Sequence, residues 1–183
     1  SAVSINQVPL IVAGGGGNRR EQFDTPKPEI TNGTINMDGN SGFCSGSLGN
    51  GGINGSGGFN SNRGASGAGF FGDGQVSTDN RGDCSQGDSQ PAMSLMSGGV
   101  GGWGNMHPDA GGCSLPSRFG GFGGGGSGGW GGAGGGGGYS GGGGDCNGGY
   151  SGGGGSYNSG SNQVNVSGAN LGHGKVIVTR ILD

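Results

Sequence analysis

GGFGGGGSGGWGGAGGGGGYSGGGGDCNGG, residues 120–149, decides how the rest of the chain is read. The tract is either a disordered spacer or the folded heart of the protein. Glycine accounts for 57 of 183 residues, close to one third, but with six prolines and no strict Gly-X-Y period the chain is not collagen. Apolar residues make up 27%, too few for a conventional side-chain core over the whole length. Such composition usually marks disorder. Charge argues the other way: 10% charged residues and a net charge of −3 give little self-repulsion to hold a chain open.

The glycine tracts carry a period. Asn50, Ile53, Ser56, Phe59 and Asn62 fall every third residue, as do Val100, Trp103 and Met106. In the opening tract Ser127, Trp130, Ala133, Tyr139 and Asp145 share one phase, and Phe119 and Phe122 another. Ser140 and a few asparagines break the rule. Three residues per turn is the repeat of a polyproline-II-type helix, which in glycine is polyglycine II. Its N–H and C=O groups point away from the axis, so buried tracts must bond to one another. Absence of side chains lets the backbones approach.

Length forces folding back. At ~3.1 Å per residue, residues 119–145 would extend on the order of 80 Å, whereas a domain of this size has a radius of gyration of roughly 16 Å. Hydrogen-bonded legs are expected within about 47–74, 98–104 and 119–156, with the third-position residues along an edge facing solvent or a sheet. Ordering each residue costs ~1–2 kcal/mol and each bond returns ~0.5–1.5 kcal/mol, so disulfides and edge aromatics are expected to help hold the bundle.

The ends differ from the middle. VPLIVA (8–13), preceded by alternating AVSIN, and KVIVTRIL (175–182) read as strands, spanning about 2–13 and 175–182. Pro9 points to an edge or strand start. No 3.6-residue apolar stripe survives between them. Polar inserts occupy 18–40, 75–97 and 105–118. The expected fold class is mainly β and irregular, a single domain over 1–183. Polyglycine-II helices are inserted between strands of a partial β-sandwich, possible to complete between chains, with no α-helix of note.

Cys44, Cys84, Cys113 and Cys146 form no C-x-x-C, and His107 and His173 complete no zinc pattern. An even, spread count suggests two disulfides in an oxidising compartment, with three pairings open. Sequons at Asn32, Asn54 and Asn165 are candidate glycosylation sites. No apolar run spans a membrane, and SAVSINQ has the form of a mature end left by cleavage. Isolated Arg63, Arg81 and Arg118 do not make the basic surface that nucleic acid needs.

VPLIVAGGGGN (8–18), MDGNSG (37–42), SLMSGGVGG (94–102), the run 118–144, GGGGSYNSGSNQVN (152–165) and GHGKVIVTRI (172–181) together carry a resemblance. The chain resembles the glycine-rich extracellular domain of the anaplastic lymphoma kinase and leukocyte tyrosine kinase receptors, a type also found in bacterial and invertebrate surface proteins. The resemblance implies an extracellular slab of hexagonally packed polyglycine-II helices between strands of a β-sandwich, in a region that binds protein cytokines in those receptors. Several strands precede the PLIVAGGGG segment there, and only SAVSINQ does here. The missing strands are expected from a neighbouring subunit or from a longer chain.

No phosphate loop, nucleophile elbow or catalytic residue is found, and no cofactor or metal is expected. Asp73, Asp79, Asp83 and Asp88 cluster but lack calcium-loop spacing. Arg81-Gly82-Asp83 is a candidate adhesion tripeptide. Phe59, Phe70, Phe71, Trp103, Phe119, Phe122, Trp130, Tyr139, Tyr150 and Tyr157 are candidate contact aromatics, against the plainer role of covering the slab edge. The expected function is a non-enzymatic extracellular module that self-assembles through its strands into a surface fibre or layer. Its expected partners are copies of itself or another extracellular protein, with no nucleic acid and no membrane insertion. The alternatives are a cytokine-type ligand-binding region of a receptor kinase and an adhesin for glycans or a surface.

Overall fold

The computed structural model describes residues 1–18, 27–43, 48–61, 63–78, 90–104, 120–121, 123–128, 132–146, 148–170, 177 and 179. Within them the chain is mainly strand and irregular extended backbone. Helix is limited to one turn, α1 (Pro28–Thr31), and a 3-10 turn at Leu95–Ser97.

Three strands, β1 (Ala2–Ile5), β2 (Val8–Val12) and β3 (Tyr157–Asn158), form one antiparallel sheet in the order β1-β2-β3. The apolar N-terminal stretch is thus a hairpin rather than a single strand over 2–13. It reverses at Asn6 and Gln7, whose φ angles of 48° and 67° are those of a two-residue primed turn. Pro9 is the second residue of β2, close to the strand start expected as the alternative to an edge, and β2 is the central strand. The position is tolerated because the β1 register slips between Val3 and Ser4, and β3 pairs only with Ile11 and Val12. The strand expected over 175–182 falls largely outside the described residues.

The glycine tracts make the body of the molecule. Residues 64–70 show how. Gly64, Gly67 and Phe70 donate to the carbonyls of Asp145, Gly142 and Tyr139 at 2.8, 2.9 and 2.7 Å. Ala65 and Ala68 donate to Ser127 and Gly124, and Ser66 and Gly69 to Gln75 and Gly72. Each third residue returns to the same antiparallel neighbour, so the leg presents three bonded faces, the pattern of a three-residue screw. The carbonyls serve three more neighbours: Gly135 and Gly138 donate to Ala65 and Ala68, Gly58 to Gly67, and Leu95 and Met96 to Gly69 and Phe70.

Residues 140–145 are surrounded in the same way. Gly141 and Gly144 donate to Ser56 and Phe59, Gly142 to Gly136, and Gly143 to Asn40. Gly67, Gly52, and the pair Gly152 and Gly155 donate to the carbonyls of Gly142, Gly141, and Gly143 and Ser140. At the glycine positions of such a leg the Cβ direction runs into a neighbouring backbone. A methyl on Gly141 would overlap the Gly67 carbonyl, and one on Gly67 the Gly136 carbonyl.

The core is therefore mostly backbone. Val12, Ala65, Ala68, Phe70, Ala92, Ala133 and Tyr150 are buried apolar side chains, as is Pro9. Two buried serines join the network: the Ser140 hydroxyl accepts from the Gly55 N–H at 3.0 Å, and the Ser151 hydroxyl donates to the Gly134 carbonyl at 2.7 Å. Such satisfaction is what lets a polar interior persist.

Candidate interaction surfaces

The hairpin carries an uncovered apolar face. Pairing sets Val3 opposite Ile11 and Ile5 opposite Val8, and cross-strand partners share a face. Ile5, Val8 and Ile11 are 60%, 59% and 51% exposed, whereas Pro9 and Val12 on the opposite face are buried. Residues 1–18 contain no charged side chain. The far edge of the sheet is differently finished. The Gln163 amide donates to the Asn158 and Gly160 carbonyls, and Asn158 and Asn165 bond side chain to side chain at 2.9 Å.

The aromatics separate into two groups. Phe59, Phe71 and Trp103 are about half exposed on backbone whose N–H groups are bonded. Phe59 N–H donates to the Asn50 carbonyl, Phe71 N–H to Gly55 and Trp103 N–H to Gln90. Tyr150 is buried and pairs with Phe43, so it is not available as a contact residue. Tyr139 and Tyr157 are half-buried and stack at 4.8 Å between centroids. Phe71 meets Tyr139 edge-on at 6.3 Å and Phe70 at 4.8 Å. The ladder joins the slab turn at residues 138–140 to β3, which is structural work. Phe119, Phe122 and Trp130 lie outside the described residues.

The third-position residues do not all face outward. Asn50, Ile53 and Phe59 are exposed, but Ser127, Ala133 and Asp145 are buried, because their legs have neighbours where an edge was expected. Asp145 is an internal fastener that the sequence reading missed. Its carboxylate accepts from the N–H groups of Ala133 and of Gly149, the latter at 2.9 Å, and its carbonyl accepts from the Ser61 hydroxyl and, at 2.8 Å, the Gly64 N–H. An acidic residue followed by cysteine inside a glycine run was the available signal. Cys146 is disulfide-bonded; Cys44, Cys84 and Cys113 lie outside the described residues.

Of the sequons, Asn54 is exposed at a tight turn with φ of 52°. Asn165 is exposed and bonded to Gln163 at 3.1 Å, and Asn32 is the half-buried C-cap of α1. The tripeptide Arg81-Gly82-Asp83, the carboxylates Asp79 and Asp88, and both histidines lie outside the described residues. Asp73 accepts from the Ser94 N–H at 2.7 Å, a loop-fixing bond. Among the described residues no group of three or more His, Cys, Asp or Glu could hold a metal ion, and no helix is long and apolar enough to cross a membrane. No family model, curated protein or solved structure matches the chain.

Proposed function

We propose that this chain is a non-enzymatic extracellular structural module that assembles through its strands into a surface fibre or layer, with the polyglycine slab supplying rigidity. The observation that carries this reading is the apolar face of Val3, Ile5, Val8 and Ile11 on a sheet that has three strands among the described residues. Small isolated sheets need cover on such a face, and open edges recruit other chains. The slab behind it is bonded leg to leg through its backbone and would transmit load without a large side-chain core. Light scattering with negative-stain imaging tests the reading: assembly that grows with concentration supports it, and a monomer without filaments opposes it.

A second reading, an adhesin for glycans or a surface, is favoured by the half-exposed Phe59, Phe71 and Trp103. Aromatic faces of this kind are common binding anchors. Under that reading Phe59→Ala with Trp103→Ala abolishes attachment to the target surface while assembly persists. A cytokine-type ligand-binding region rests on the family resemblance alone, and binding of a soluble protein ligand is its test.

A further inference from the structure

We propose that the first contact in assembly is β1 pairing with the β1 of a second copy, antiparallel about a two-fold axis at Val3. The inference rests on the self-assembly reading and names its contact. Ser1 exchanges bonds with Ala13: the Ala13 N–H donates to the Ser1 carbonyl at 2.8 Å, and the Ser1 amine to the Ala13 carbonyl at 3.3 Å. Pairing alternates along an antiparallel ladder, so Val3 and Ile5 also turn their backbone groups toward β2. The N–H and C=O of Ala2 and Ser4 then face away from the sheet. Placing the two-fold at Val3 sets Ala2 opposite Ser4 of the second copy and Ser4 opposite its Ala2. Both pairs exchange bonds, and the two sheets become one.

Charge selects the occupant. The two-fold axis sets Val3 opposite its own copy, so a charged side chain at that position would oppose itself. No charged side chain occurs between residues 1 and 18. The edge is therefore compatible with itself, since the charged Ser1 amine falls opposite Ile5 of the second copy and not opposite its own counterpart. Edges that avoid self-pairing usually carry lysine or an inward charge, and Ala-Val-Ser-Ile of β1 carries neither. The β3 edge, with the Asn158 carbonyl taken by Gln163, is not equivalent. The pairing is isologous and closes on itself, so a fibre or layer needs a second, different contact between such pairs.

The test is charge reversal at the axis. Sedimentation up to about 100 μM is expected to show a dimer for the wild type and monomers for Val3→Lys and Val3→Glu separately. An equimolar mixture of the two variants is expected to restore the dimer, because the opposed residues then carry opposite charge. If a charged variant loses its fold by circular dichroism, Ala2→Pro replaces it. That substitution removes only an outward N–H and is expected to weaken the dimer about tenfold or more. A monomeric wild type overturns both this inference and the self-assembly reading. A wild type that assembles, with variants that assemble equally well, overturns the β1 contact and leaves assembly by another surface.

Discussion

Gly141 faces the Gly67 carbonyl at a separation that excludes a methyl group, and Gly67 stands in the same relation to Gly136. Backbone crowded against backbone cannot yield the way a side-chain tip can. Gly141→Ala and Gly67→Ala are each expected to cost about 3 kcal/mol or more in denaturant unfolding. Gly121 has open space around its Cβ direction, so Gly121→Ala should leave the unfolding midpoint within about 0.5 kcal/mol of wild type. Asp145 makes the complementary case, since its carboxylate serves two buried N–H groups. Asp145→Ala orphans both, at about 1–3 kcal/mol each, and a thermal melt should show the loss. Gln7 holds a positive φ without being glycine. Gln7→Gly should therefore raise stability by roughly 0.5–1 kcal/mol.

At the scale of elements, the fold class was legible and the depth of each leg was not. Glycine density with sparse charge pointed to strand and irregular extended backbone with no α-helix of note, and among the described residues that is the architecture. The three-residue period marks which residues share a screw face, as at Asn50, Ile53 and Phe59, which are exposed. The same period at Ser127, Ala133 and Asp145 leads to buried positions. A leg's own repeat says nothing of how many neighbours surround it, and residues 140–145 are enclosed by segments from 40 to 155. The hairpin was hidden because Asn6-Gln7 lacks the glycine that usually announces such a turn. β3 was hidden because two residues carry no alternation. The Tyr139–Tyr157 stack is the joint between slab and sheet. A double-mutant cycle on the pair should give a coupling of about 0.5–1.5 kcal/mol.

At the scale of the whole molecule, stability comes from many backbone bonds of modest individual worth, with few buried side chains. Cooperativity should then be high, because removing one leg leaves unpaired groups on each leg around it. The central claim is that the glycine tracts are ordered, bonded legs. Native-state hydrogen exchange of Gly64–Phe70 and Gly141–Gly144 tests it most directly. These amides are expected to exchange only through global unfolding, and so to be the most protected in the chain. Exchange of these amides at the rate of an unfolded glycine peptide would contradict the account.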